Sequence, residues 1–302
     1  MTQRWVKGGL LAQAPGRPEW LTSHLAVPTV HPRTDGGLDV YVSSRDRHDR
    51  SHSCRFALPP GWPAESMTAE FELVLAPGAP GSFDDGGAMT AWLQETHGSL
   101  RLYYIGWNRS VSVPFRNALG VAVSEDSGAT FTRSPGPILD RGPHDPCFVA
   151  SCCILPEEGG FRMWYVSGLQ WEHAGGSLQP RYHIKHAFSP DGLEWYRDGT
   201  VCIDFATAGE HAISRPCVIR EDGVYRMWYS HRGAAYRIGY AESGDGLTWT
   251  RLDDDVGLAP SKSGWDSEMV AYPYVFDHGG SRYMFYNGGG YGRTGVGWAV
   301  LE

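Results

Sequence analysis

The stretch Arg162-Met163-Trp164-Tyr165-Val166-Ser167 decides the fold, because the same phrase returns three more times. It reads Arg226-Met227-Trp228-Tyr229-Ser230, Arg282-Tyr283-Met284-Phe285-Tyr286-Asn287 and, upstream, Arg101-Leu102-Tyr103-Tyr104-Ile105-Gly106. Leu38-Asp39-Val40-Tyr41-Val42-Ser43 is a fifth, weaker copy. Tyr104, Trp164, Trp228 and Phe285 stand 60, 64 and 57 residues apart, so the chain repeats with a period near sixty. Each copy is followed by a second alternating segment, at 53–58, 119–123, 182–188, 236–241 and 294–300, and period-two patterning makes both segments strands.

Working outward, three of the second segments run into a turn of fixed chemistry: Ser124 to Asp126 and Gly128, Ser189 to Asp191 and Gly192, Ser243 to Asp245 and Gly246. Asp bonds the backbone ahead of it and Gly accepts positive φ, which makes a hairpin whose next aromatic, Phe131, Trp195 or Trp249, opens a third strand. A further apolar strand, ending at Leu93, Leu155, Ile219 or Phe276, precedes each Arg-x-aromatic phrase. Four strands per unit and five units predict an all-β fold, a five-bladed β-propeller of four-stranded blades forming a single domain over 1–302. The last unit runs out in its third strand at Leu301-Glu302, and the segment Arg4–Ala12 is expected to supply the missing strand and close the ring.

Composition agrees with a packed core and limits the partners. The 302 residues are 41% hydrophobic with 12 Trp, 15 Tyr and 11 Phe, too apolar and aromatic for a disordered chain. Net charge −8 and the absence of Lys/Arg runs exclude a phosphate-tracking surface, so no nucleic-acid partner is expected. The N-terminal sixteen residues hold too short an apolar run for a secretory signal, and nowhere do about 18 apolar residues stand together. No membrane association is expected, and a cytoplasmic location is. Six cysteines, Cys54, Cys147, Cys152, Cys153, Cys202 and Cys217, lack metal or disulfide-framework spacing and read as buried reduced thiols. The histidines of His48-Asp49-Arg50-Ser51-His52 sit in a polar loop pattern, no dinucleotide or P-loop motif occurs, and neither a metal nor a cofactor is expected.

In a propeller the innermost strands meet around one axis. The segments leading into them carry acids: Asp84-Asp85 before Met89, His144-Asp145-Pro146 before Val149, Gly209-Glu210-His211, and Trp265-Asp266-Ser267-Glu268. Clustered carboxylates repel, which raises the pKa of one while another stays ionised, and that pair of states is what glycosidic bond cleavage uses. Asp84 and Asp85 are adjacent; Asp85–Met89 has the same spacing as Asp145–Val149. Trp107 and Asn108 offer a face and an amide for a sugar ring, or core packing; Arg215 offers an oxyanion partner, or a partner for a channel carboxylate. Arg45, His183, Lys185, Arg232 and Tyr291 are further channel-end candidates.

The five units, the Asp–Asp–Glu order on successive inner strands and the Asp145-Pro146 element resemble the five-bladed propeller glycosidases, the arabinanase/β-xylosidase, invertase and mannoside-phosphorylase families. The resemblance implies a catalytic set of Asp85 as base, Asp145 as modulator and Glu210 as acid; Asp84, Trp107, Asn108, Arg215, Glu268, Arg45 and His183, read from their own chemistry and position, are the expected substrate-binding residues. It departs from the pattern in starting the set at the second unit and in following Glu210 with His-Ala. The turn at 124–131 also resembles a sialidase Asp box, without a sixth blade or a three-arginine clamp to go with it. The implied activity is glycoside hydrolase-like cleavage or transfer of a glycosyl unit from a small intracellular sugar conjugate, phosphorylated or nucleotide-linked sugars included. Phosphorolysis and a non-catalytic carbohydrate-binding propeller are the alternatives.

Overall fold

The computed structural model describes residues 2–64 and 68–302. Its first strand, β1 (Trp5–Ala12), stands apart from the sequence order that follows. Next come four-stranded antiparallel meanders: β2 (Ser23–Pro32), β3 (Leu38–Arg45), β4 (Ser51–Leu58) and β5 (Glu72–Leu75), then β6 (Gly87–Thr96), β7 (Ser99–Arg109), β8 (Phe115–Ser124) and β9 (Thr132–Arg133). Two more follow, β10 (Phe148–Glu157), β11 (Gly160–Ala174), β12 (Ser177–Ser189) and β13 (Val201–Ile203), and β14 (Ala212–Glu221), β15 (Val224–Arg232), β16 (Tyr236–Ser243) and β17 (Thr250–Arg251); short parallel pairings of β4 with β6 and of β12 with β14 join these meanders two by two into eight-stranded sheets. The chain ends with β18 (Ala271–His278), β19 (Ser281–Asn287) and β20 (Val296–Leu301), and β1 pairs antiparallel with β20 to give the sheet order β1-β20-β19-β18. The expected loan of the N-terminal segment to the last unit is therefore present as a hydrogen-bonded pair of strands.

The Arg-x-aromatic phrase has a physical cause beyond strand formation. Its side chains clasp the Ser-Asp-Gly turn of the following meander: Arg101 Nη1 and Tyr103 OH donate to Asp191 and Gly192 carbonyls, Arg162 Nη1 and Trp164 Nε1 to those of Asp245 and Gly246. Within each turn the Ser hydroxyl accepts the Gly N–H at 2.8 Å, and Gly128, Gly192 and Gly246 adopt φ of 89°, 75° and 74°. A side chain larger than hydrogen would strain that conformation. Trp228, the equivalent of Trp164, donates instead to Gln3 Oε1 at 2.9 Å, so the residues before β1 fill the place that a turn fills elsewhere.

The innermost strands pack in succession, β2 on β6, β6 on β10, β10 on β14, β14 on β18 and β18 on β2. Buried thiols help join them: Cys153 and Cys217 accept the Val218 and Val275 N–H groups, each at 3.2 Å. All six cysteines are free, and all but half-buried Cys147 are buried, as their apolar settings led us to expect. Each innermost strand also carries a register shift at one phase, next to Ala26, Thr90, Ala150, Ser214 and Ala271. Such bulges re-aim side chains where strands approach a site. Val27, Ser151, Arg215 and Tyr272, at these shifts, have φ of 56°, 29°, 52° and 55°, a left-handed conformation that costs a non-glycine residue about 1–3 kcal/mol.

Candidate functional site

Those strained residues line a cavity of about 410 Å³ to which all five innermost strands contribute, through Val27, Met89, Ser151, Arg215 and Tyr272 among others. Its aromatic wall comes from a length difference between strands. β11 and β12 run on beyond the end of β10, and their overhanging hairpin carries Trp171 and Pro180 over the cavity. Trp171 packs on Phe115 with ring centroids 4.9 Å apart and on Phe148 at 6.0 Å. On another side, Arg232 lies over the Tyr236 ring at 5.2 Å and donates to Tyr291 OH at 2.6 Å, while the Tyr236 and Tyr182 hydroxyls bond each other. Burial raises the pKa of Tyr182, Tyr236 and Tyr272, so this wall offers neutral hydroxyls.

Arg45, Arg215 and Arg232 supply the cations of the cavity and His24 its imidazole. Burial, then the charges of Arg45 and Arg293, hold His24 down to about 4, so its imidazole is neutral near pH 7. Arg215 is 1% exposed and spans the axis, with Nη2 donating to Pro28 O at 2.6 Å and Nη1 to Ala91 O, both carbonyls on other meanders. Among the described residues lining the cavity there is no aspartate or glutamate.

The three acids expected to face one another do not form one set. Asp145 is fully buried, accepts Tyr165 OH at 3.1 Å and pairs with Arg197 at 2.7 Å. Glu210 pairs with Arg251 at 2.8 Å and also accepts from His231 and the Ala206 N–H. Burial would raise its pKa, but the Arg251 guanidinium, the Ala206 N–H and His231 outweigh burial and hold it down to about 2. A general acid requires the opposite shift. Asp84 repeats the pattern, 1% exposed, with Tyr104 OH at 3.1 Å and Arg133 at 2.7 Å, and so does Asp266 with Tyr286 OH at 3.0 Å and Lys7 at 2.6 Å. The recurrence of acids at one phase thus has a cause inside each meander, where a carboxylate ties the turn before the innermost strand to the outer edge of the sheet.

Asp85 and Glu268 are placed differently. Asp85 is half-buried, accepts the Gly81 N–H at 2.8 Å and borders a depression that it shares with Trp107, Arg47, His48, Arg50 and Arg109. Trp107 Nε1 donates to the hydroxyl of Ser51, which itself lines the main cavity, so the two spaces adjoin. Glu268 is exposed, and its carboxylate makes no hydrogen bond or ion pair among the described residues. Its Oε2 would stand 3.3 Å from a Cβ placed on Gly289, two residues before Tyr291 of the cavity wall.

Of the expected binding residues, Arg45 and Arg215 line the cavity, as do Arg232 and Tyr291; Trp107 stands at the adjoining depression. Asn108, next along β7 and paired with Arg116, alternates to the other face of the sheet and lines neither space. His183 is buried on β12, bonds Asp204 at 3.0 Å and stacks on Phe205, and Lys185 donates to the His144 carbonyl; neither reaches the cavity. Glu210, His231 and Asp253 bring ligand-type atoms within 4.8 Å of one another, but the Arg251 guanidinium already occupies both carboxylates. Apart from Tyr291, the aromatic wall is not legible in the sequence, nor is Ser151, although Val27-Pro28, Arg215-Pro216 and Tyr272-Pro273 mark the bulged phase in three innermost strands.

Comparison with known proteins places this architecture. The chain has the β-propeller fold of glycoside hydrolases. The structure of a BT0996 RGII complex superposes with TM-score 0.77 at 18% identity, covering 99% of this chain and 92% of that one. One from work on mannoside phosphorylases of family GH130 and related β-1,2-mannosidases gives TM-score 0.72 at 16% identity, over 99% and 94%. A thermostable family-43 glycoside hydrolase gives 0.66 at 17%, over 93% and 88%. No protein-family model matches. The chain belongs to the family of the Mycobacterium tuberculosis proteins named Uncharacterized protein MT1551 (strain CDC 1551 / Oshkosh) and Uncharacterized protein Rv1502 (strain ATCC 25618 / H37Rv). It is 40% identical to each over 299 residues, 99% of this chain and 99% of theirs. No helix among the described residues is long and apolar enough to cross a membrane.

Proposed function

We propose that the five meanders are the blades of a propeller closed by β1 on β20, and that the protein is a glycoside hydrolase-like enzyme that cleaves or transfers a glycosyl unit of a small sugar conjugate held in the central cavity. One observation carries the reading: an aromatic-walled cavity stands where all five innermost strands converge, in a fold that glycoside hydrolases share over nearly its whole length. A ring stacked on Trp171 would present its hydroxyls to Tyr236, Tyr291 and neutral His24.

Within this reading Glu268 and Asp85 take the proton-transfer roles. They are the members of the expected acid set without an internal cation partner; Asp85 borders the depression that adjoins the cavity, and Glu268 stands beside Gly289, two residues from Tyr291 of the cavity wall. One carboxyl protonates the departing glycosidic oxygen while the other takes a proton from water as its oxygen bonds to the anomeric carbon. Asp145 and Glu210 then act as positioning residues, through the turns that they pin. Phosphorolysis is favoured as a second reading by the cations and the absence of carboxylates in the cavity lining, which suit phosphate in place of water. A cytoplasmic location fits either reaction.

The test is turnover of nitrophenyl glycosides, sugar phosphates and nucleotide sugars, with and without phosphate, by the wild type and Glu268→Gln. Release of sugar, reduced at least about 100-fold in the variant, is the expected result. Strict phosphate dependence selects phosphorolysis. Silence across the panel with sugar binding intact overturns the enzymatic reading and leaves a carbohydrate-binding propeller.

A further inference from the structure

Arg215 is a buried cation without a buried anion. Its two terminal nitrogens are taken by the Pro28 and Ala91 carbonyls, which fix the guanidinium plane, and its Nε–H has no acceptor among the described residues. Tyr274 lies beneath it, with the guanidinium carbon 5.7 Å from the ring centroid. Carbonyl dipoles and an aromatic face orient a cation without neutralising it, and a buried charge left uncompensated is strongly unfavourable. Burial accordingly pushes the Arg215 pKa down, with no carboxylate beside it to restore it.

The surroundings point the same way. Ser151, the bulged residue of β10, has a buried hydroxyl with no partner among the described residues and lines the same cavity. Arg45 and Arg232 stand in the cavity wall with their charges available, since neither makes an ion pair with a carboxylate among the described residues. Both bulged residues hold strained left-handed conformations that a structural role alone would assign to glycine.

We infer that the cavity recognises an anionic group, the carboxylate or phosphoryl substituent of the glycosyl ligand, with Arg215 and Ser151 as its innermost partners and Arg45 and Arg232 as its outer ones. The inference rests on the glycosyl reading above and names the substrate class. A planar guanidinium whose orientation is already fixed loses little freedom on binding, so it discriminates charge strongly. Neutral sugars would leave the Arg215 charge uncompensated.

Calorimetric titration of the full chain with matched sugars tests it: methyl glycosides, the corresponding uronates and the corresponding sugar phosphates in gluco, galacto and manno configuration, with inorganic phosphate alone as a further probe. At least one anionic member is expected to bind ten-fold or more tightly than its neutral counterpart, and Arg45→Gln, at a half-buried position, is expected to reduce that advantage several-fold. Arg215→Met should abolish the advantage; if it does not fold, Ser151→Ala and Arg45→Gln carry the test. Inorganic phosphate binding as tightly as the anionic sugars identifies free phosphate as the ligand and overturns the assignment to a sugar substituent; weaker binding of phosphate than of an anionic sugar supports the substituent. Neutral sugars binding as tightly as anionic ones overturn the inference alone and leave the glycosyl reading standing. Silence of every probe overturns both.

Discussion

Lys7 Nζ lies 2.6 Å from Asp266 Oδ2, joining the first strand of the chain to the turn that precedes β18. The pair repeats an arrangement found in three other meanders, Arg133 with Asp84, Arg197 with Asp145 and Arg251 with Glu210, where the cation always comes from the outer edge of the sheet. β1 therefore brings the last meander both a fourth strand and the charge that its acid needs. The periodic carboxylates are a device for tying these turns to their own sheet edges.

Replacing Lys7 by Met should leave Asp266 buried beside Tyr286 without its cation. Removing one partner of a buried pair costs about 3–5 kcal/mol, and Lys7 is about a quarter exposed, so we expect about 2 kcal/mol. Urea unfolding of Lys7→Met checks this, with Lys7→Arg retaining most of the stability. Wild-type stability in Lys7→Met would mean that the pair does not hold β1 in place.

The Glu210–Arg251 pair makes a pH prediction. The Glu210 carboxyl is held down to about 2 in the folded protein against an ordinary value of 4.5. A carboxyl with a depressed folded pKa stabilises the fold above its unfolded value, and that contribution is lost as pH falls through the window from 4.5 to about 2. Glu210→Gln should lower stability at pH 7 by on the order of 2 kcal/mol and flatten the acid limb of a melting-temperature profile in that window. An unchanged acid limb would count against the pairing.

How far the sequence reveals this molecule depends on which physical signal each residue carries. The Arg101 and Arg162 phrases are readable because strands alternate and the clasp they form repeats, and the Arg226 phrase because it shares the alternation. The loan of β1 is readable as a missing strand. The direction of an acid ahead of a strand is not readable, since alternation lapses in the turn: Asp84 points into its meander while its neighbour Asp85 reaches the rim. His183 and Lys185 sit on β12, outside the innermost strand, and only the sheet order reveals that they stop short of the cavity. The residues at the bulges are hidden for another reason. The extra residue at each bulge shifts the phase, so Ser151 and Arg215 come to one cavity only once every register is known.

Ser151 should trade stability for binding. Its φ of 29° stores about 1–3 kcal/mol, and its hydroxyl is buried without a partner among the described residues. Glycine would relieve the strain at a cost of about 0.5–1 kcal/mol in unfolded-state freedom, for a net gain of about 1 kcal/mol. Ser151→Gly is therefore expected to unfold at higher urea than the wild type while binding anionic sugars several-fold more weakly. A variant that loses stability would show that the serine serves packing.

Trp171 separates the aromatic wall from the fold. It sits half-buried on the hairpin that overhangs β10, and its packing partners Phe115 and Phe148 also contact each other, with ring centroids 5.8 Å apart. Removing it should leave that pair and the strands below largely in place. Loss of one aromatic contact is worth about 1 kcal/mol, so Trp171→Ala should weaken sugar binding about five-fold. Because Trp171 stands over the cavity, ligand addition is expected to change tryptophan fluorescence in the wild type, and the variant should lose that change. Retention of both affinity and fluorescence response would place the sugar elsewhere, with Trp107 at the adjoining depression as the next residue to replace.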